Sequence, residues 1–175
     1  MELTLLFLFQ ILGICLFEVK IFQTTESFYY WFRHKIIGLW SDKKALSNNF
    51  GPDYPKVNVL DNDKLNQALE GVEVVFHLAA KIRVEEGERE PELYKKVNIE
   101  GTLNLINKCT EKNIKKLVFA STAAVYGDPE DYPVNEKSKV NPVNVYGATK
   151  LEIDQYLEKN AKSLGISSIC FRFFQ

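Results

Sequence analysis

The sequence predicts an α/β protein, a parallel sheet with flanking helices, and three observations carry that expectation. Short continuous apolar runs recur at VEVVFHLAA (72–80), KKLVFAS (115–121) and within residues 166–174, the pattern of strands buried on both faces. Helix-length segments, 91–109 and 145–164, separate them. Polar residues follow directly on the apolar runs, at the carboxyl ends where open parallel sheets hold their ligands.

Taken in order, residues 1–40 stand apart. They are rich in Leu, Phe, Ile and Tyr and nearly free of turn signals, whereas ordinary punctuation begins at Ser41. The run 3–17, interrupted by Gln10 and closed by Glu18, is shorter than the roughly 20 residues a bilayer-spanning helix needs. It also lacks the basic start and small-residue cleavage site of a secretory leader. It reads as a buried helix or as a segment foreign to the fold, with a membrane role the weaker alternative.

Residues 58–61 end a short extended piece, and Asn62 or Asp63 caps a helix through Leu69. The first strand, 72–80, follows Gly71. Pro91 opens a long helix to Cys109, at the early position proline favours. The strand 115–121 comes next. Residues 128–144 hold three prolines and many polar side chains, which makes them a loop. A helix over 145–164 ends at Gly165, and a last strand covers 166–174. The acidic stretch 85–92 reads as a solvated face.

Composition excludes several classes. Lys and Arg number 22 against 23 Asp and Glu, a formal net charge of −1, so nothing draws the chain to nucleic acid or an anionic membrane. An apolar fraction of 46% with 26% charged residues excludes wholesale disorder. Cys15, Cys109 and Cys170 are odd in number and far apart. They suit neither a disulfide framework nor a zinc site, and reduced thiols imply a cytoplasmic protein.

The helix from Val145 carries Tyr146 and Lys150 four residues apart, hence on one face. Ile153, Leu157, Ala161 and Leu164 continue that face as an apolar stripe, so the pair sits on the buried side. A free tyrosine lies about three pK units, or about 4 kcal/mol, from half-ionisation at pH 7. A nearby ammonium and a helix N-terminus both favour the phenolate, so Lys150 could make Tyr146 a usable general base. Alone, this spacing means little. Ser121 and Thr122 follow LVFA directly, and a hydroxyl there could hold a substrate alcohol against the phenol. His77-Leu78-Ala79-Ala80 closes the preceding strand with small residues that let a flat ligand approach, while His77 itself reads as structural.

Together the strings NVLDNDKLNQAL, VVFHLAA, VNIEGTLNLI, KLVFASTAAVYGDP, NPVNVYGATK and ICFRFF resemble the extended short-chain dehydrogenase/reductase family. Within it they are similar to the nucleotide-sugar epimerases of the UDP-glucose 4-epimerase type. The resemblance covers residues 41–174 and implies a partial Rossmann-like domain using NAD. It implies that Tyr146 is the catalytic base, Lys150 its partner on the nicotinamide ribose, and Thr122 the contact to the sugar's reacting oxygen. Leu78, Ala79, Ala80, Asn98 and Ser121 would line the cofactor cleft. Asn58 and Val59 would hold the adenine, although the family normally has Asp at the first of these. The implied reaction is reversible oxidation at C4 of a nucleotide sugar, most simply a UDP-hexose, in a homodimer. Ala123-Ala124 stands where sugar dehydratases place Asp-Glu, which favours an epimerase over a dehydratase. A reductase of the same family and a non-catalytic interaction protein on a degenerate fold are the alternatives.

The family's glycine-rich first turn, TGGAGFIG, is not found among the nine glycines of this sequence. Residues 1–40 therefore read as an atypical segment replacing an aberrant first βαβ unit at nearly equal length, as a shifted reading frame would. Residues 41–175 read as the partial NAD-binding domain, with the substrate domain absent, so this chain is expected to act as a fragment with little turnover. Sequencing the locus checks the frame reading: a family-like first βαβ unit is expected in another frame, and MELTLLFLFQ found in expressed protein contradicts it.

Overall fold

The computed structural model describes the strand Ile36–Leu39 and residues 57–130 and 132–174. Four strands, β1 (Ile36–Leu39), β2 (Val74–His77), β3 (Lys116–Thr122) and β4 (Ser167–Phe173), lie in chain order, each parallel to the next. β1 falls within the residues set apart as atypical and was not foreseen. The apolar run 3–17 and Cys15 lie outside the described residues. Among the described residues no helix is long and apolar enough to cross a membrane.

Register places Val75 beside Leu117 and His77 beside Phe119. All four are buried, whereas Val74, Phe76 and Val118 on the opposite face are only half-buried. The continuous apolar runs thus do not bury both faces equally. One core cluster joins Val75, Leu117 and Phe119 to Leu65, Leu105, Ile106, Ile153 and Leu157 from the helices. Each such side chain contributes roughly 1.5–3 kcal/mol by burial.

Residues 58–61 form a turn, not an extended piece. Asp61 N donates to Asn58 O at 2.9 Å and Leu60 N donates to Asn58 Oδ1 at 3.0 Å, a local bond that competes with extension. Helix α1 (Asn62–Ala68) is capped by Asp61, whose side chain accepts from Lys64 N at 3.1 Å. Next comes α2 (Val84–Arg89), inside the acidic stretch. That stretch is not merely solvated, because Glu86 pairs with Lys81 and accepts from the Tyr94 hydroxyl at 3.1 Å. The helix opened by Pro91 is continuous but not uniform: α3 (Pro91–Tyr94) passes through a wider π-helical turn, Lys95–Glu100, into α4 (Gly101–Glu111).

Helix α5 (Val145–Asn160) begins at the residue foreseen and ends four residues early. Its cap is Asn144, whose Oδ1 accepts from Gly147 N at 2.7 Å, and Glu88 Oε1 accepts from Val145 N at 2.9 Å. Ile153, Leu157 and Ala161 form the buried stripe, while Leu164 is half-buried in the terminal turn. Between β3 and α5, the 3₁₀ turn Ala123–Tyr126 starts on the capping hydroxyl of Thr122, which accepts from Ala124 N at 3.2 Å.

This turn ends at Gly127, with φ 63° and ψ −120°. A Cβ there would stand 1.9 Å from the Asn141 carbonyl oxygen, and Asn141 N itself donates to Val125 O at 3.0 Å. Both the backbone angles and the close approach demand glycine. Gly127→Ala is expected to cost about 2–4 kcal/mol, read as a lowered denaturant midpoint at unchanged slope; an unchanged midpoint contradicts it.

Candidate active site

The end of β3 and the first turns of α5 meet, and the residues singled out in the sequence meet there with them. Thr122 lies beside the Tyr146 phenol, and its hydroxyl acts to lower the phenol's pKa. Lys150 Nζ donates to the Ala120 carbonyl at 2.8 Å. It also lies 4.7 Å from the centroid of the Phe119 ring and 5.9 Å from that of Tyr146. Tyr146, Lys150, Thr122 and Ser121 are all buried, and Ser121 Oγ has no hydrogen-bond partner. Gly147 permits the approach, since a Cβ at that position would come within 2.7 Å of the Ala124 carbonyl oxygen.

Burial governs the electrostatics. It pushes the Lys150 ammonium down to about 8, partly offset by the negative charge of Asp154. It raises the Tyr146 phenol above its usual value, and the Thr122 hydroxyl offsets only part of that. The expected lowering of the tyrosine by its neighbours is therefore not achieved by the protein alone. At neutral pH the pair rests as phenol and ammonium, a proton donor beside a fixed positive charge.

His77 is fully buried. Thr102 Oγ1 gives its single proton to Asn98 O at 2.6 Å, so its 2.7 Å contact with His77 Nε2 has the imidazole as donor. Nδ1 is left as an acceptor with no partner. Burial, aided by the Lys150 charge, holds the imidazole down to about 3. It is a neutral structural histidine, as its place in the apolar run implies.

The proposed cofactor residues separate into two groups. Leu78 is half-buried and Ala79 and Ala80 are buried just beyond β2. Asn98 is fully engaged: Oδ1 accepts from Lys81 N at 2.8 Å, and Nδ2 donates to Lys81 O at 3.0 Å and Thr149 Oγ1 at 3.1 Å. The Thr149 hydroxyl in turn donates to Tyr146 O at 2.8 Å, so Asn98 ties the loop after β2 to the helix bearing Tyr146. The bonds of Asn58 and Val59 run elsewhere. Asn58 is exposed, with its side chain spent on the turn into α1. Val59 is buried, and its carbonyl accepts from Asn104 Nδ2 at 2.8 Å.

Other site residues were not read from the sequence. Phe119 underlies the ammonium, Thr149 relays Asn98 to the Tyr146 backbone, and Arg172 pairs with Asp154 at 3.0 Å. Asn144 was legible as a capping residue. The Asp154–Arg172 pair, on a helix and a strand, leaves no local signal.

With this geometry in place, similarity to known proteins becomes informative. Residues 32–175 match the model of the NAD dependent epimerase/dehydratase family. The chain belongs to that family. A UDP-glucose 4-epimerase of Halalkalibacterium halodurans is 38% identical over 103 residues, covering 59% of this chain and 31% of that protein. The crystal structure of UDP-glucose 4-epimerase from Brucella ovis in complex with NAD superposes with a TM-score of 0.71 at 28% identity, covering 80% of this chain and 44% of that one. UDP-N-acetylglucosamine 4-epimerase from Methanobrevibacter ruminantium, in complex with UDP-N-acetylmuramic acid, gives 0.65 at 35% identity, covering 69% and 38%. The chain thus spans about a third of the length of the curated relatives it matches.

For this family member the buried histidine has a consequence for stability. Its folded-state pKa lies below the unfolded value of 6.5, so between the two the unfolded chain binds the extra proton. Stability is lost as pH falls from 6.5 toward 3. From pH 6.5 to 5 the expected loss is about 2 kcal/mol. Urea unfolding at the two pH values checks it, and His77→Gln should remove most of the difference.

Proposed function

We propose that this chain carries the catalytic centre of an NAD-dependent nucleotide-sugar 4-epimerase acting on a UDP-hexose. The observation that carries this reading is the buried Lys150 ammonium on the Ala120 carbonyl at the carboxyl end of β3, with Tyr146 one helical turn before it and Thr122 at the same strand end. The names of the relatives and structural neighbours support it. Ala123 and Ala124 in the turn after Thr122 offer no acid for eliminating water, which favours epimerisation over dehydration.

The residues present fit the nicotinamide-ribose end of NAD. Ser121 Oγ is buried without a partner, and the Lys150 ammonium stands on the same strand end. Lys150 and Ser121 would hold that end, with Ala79 and Ala80 along the cleft. For the pyrophosphate the sequence has no glycine-rich turn. When bound, NAD supplies the acceptor and donor of hydride at C4.

The protein's own part is positional and acid–base. The Thr122 hydroxyl, whose oxygen accepts from Ala124 N, keeps its proton free to orient the C4 hydroxyl. The Tyr146 oxygen receives the hydroxyl proton and later returns it. Because burial raises the phenol, a bound positive charge is needed for it to act as base near neutral pH, and the Lys150 ammonium, 5.9 Å from the ring centroid, would supply part of that charge. The reading carries with it a cytoplasmic homodimer that does not use nucleic acid.

Two measurements test the proposal. Calorimetric titration with NAD is expected to show binding weaker than micromolar, because the pyrophosphate lacks its usual backbone cradle. Interconversion of UDP-galactose and UDP-glucose at saturating NAD should fall at least about 100-fold in Tyr146→Phe, with NAD binding retained. A Tyr146→Phe variant as active as the parent sinks the assignment.

A further inference from the structure

Lys150 stands in surroundings that oppose its charge. Its ammonium is buried against an aromatic ring and one carbonyl, with no carboxylate in direct contact. The groups facing it can be named element by element. On β2 stands the neutral His77, and on β3 stand Phe119, the Ala120 carbonyl and the Ser121 hydroxyl. On α5 lie Tyr146 and, one helical turn beyond, Asp154. From β4, Arg172 and the Cys170 thiol approach Asp154 rather than Lys150, the thiol pushed up to about 12 by burial and the Asp154 charge. Among the described residues Asp154 is the one carboxylate that acts on Lys150, with Glu158 farther along α5 acting on Cys170.

Asp154 is itself buried and held in place. Its Oδ2 accepts from Arg172 Nε at 3.0 Å, while Oδ1 has no hydrogen-bond partner. Arg172 Nη1 donates to the Tyr126 hydroxyl at 2.9 Å, with the guanidinium 5.0 Å from the Tyr126 ring. Tyr126 closes the turn that begins on Thr122. One chain of contacts therefore joins α5, β4 and the Thr122 turn, the three elements around the Tyr146–Lys150 pair.

We propose that Asp154 is a positioning residue for that pair: its buried carboxylate, clamped by Arg172, is the counter-charge that keeps Lys150 an ammonium. The inference rests on the reading of Lys150 as the partner of Tyr146. A charge with its own rigid attachment to β4 sustains the lysine without contacting it, so the ammonium stays available on the cleft side. The direction of the electrostatics agrees, since Asp154 raises Lys150 against the downward push of burial.

The test is direct titration of Lys150 in the full chain, by NMR of lysine labelled with ¹³C and ¹⁵N and assigned with Lys150→Arg. The parent midpoint is expected at about 8. Asp154→Asn, nearly isosteric, should shift it downward, and Asp154→Glu should restore it. Arg172→Gln removes a positive charge and leaves Asp154 less neutralised, so the midpoint should rise. A merely structural role predicts the opposite for Asp154→Asn, because loosening would hydrate Lys150 and carry it up toward 10.5. An Asp154→Asn midpoint at or above the parent's, or an Arg172→Gln midpoint below it, overturns the proposal. The titration needs neither turnover nor cofactor, so its failure is distinct from failure of the epimerase reading.

Discussion

The site depends on one buried contact, the Lys150 ammonium donating to the Ala120 carbonyl over the face of Phe119. Removing an ammonium from water costs several kcal/mol unless its surroundings compensate. A carbonyl and a ring face supply part of this, and neither tolerates much misalignment. Helix α5 must therefore be held against β3 by other means. Ile153 and Leu157 bury its apolar stripe in the core, Gly147 allows the Ala124 carbonyl close to its first turn, and Asn144 with Glu88 satisfies its first amides. With the helix so held, Tyr146 has little choice but to meet Thr122.

Around that contact the buried polar groups are spent on architecture. Asn98 uses both ends of its amide to join the loop after β2 to Thr149, and Thr102 links His77 to the Asn98 backbone. The π-helical turn Lys95–Glu100 is where Asn98 sits, and widened turns of this kind often serve a site by re-aiming a side chain. Against this background Ser121 Oγ, with His77 Nδ1 and Asp154 Oδ1, is one of three buried polar atoms without a hydrogen-bond partner among the described residues, and it is the one hydroxyl of the three. Leaving such a group unmatched is costly, and a ligand at the carboxyl edge would relieve it.

Much of this was legible beforehand. Apolar runs marked β2, β3 and β4, and the proline-rich loop before Val145 and Gly165 after the helix bracketed α5 to within a few residues. The errors have local causes. Asn58 turned the chain because its side chain competes for the backbone two residues on, which no hydrophobic pattern reports. The acidic stretch looked merely solvated because charge alone does not reveal that Glu88 reaches an amide 57 residues away. β1 was missed inside a segment nearly free of turn signals, where nothing marks the start of a strand.

The sequence by itself determined which residues could do chemistry: a phenol and an amine share one helix face because four residues make about one turn, and a hydroxyl ends a strand because polarity begins where the apolar run stops. Only the tertiary structure decided their protonation and their company. Burial pushes the Lys150 ammonium down and the Asp154 charge pushes it back up, and Asp154 is itself bonded to Arg172, 18 residues further on. Desolvation and long-range charge are properties of the packed interior, and periodicity along the chain carries no record of them.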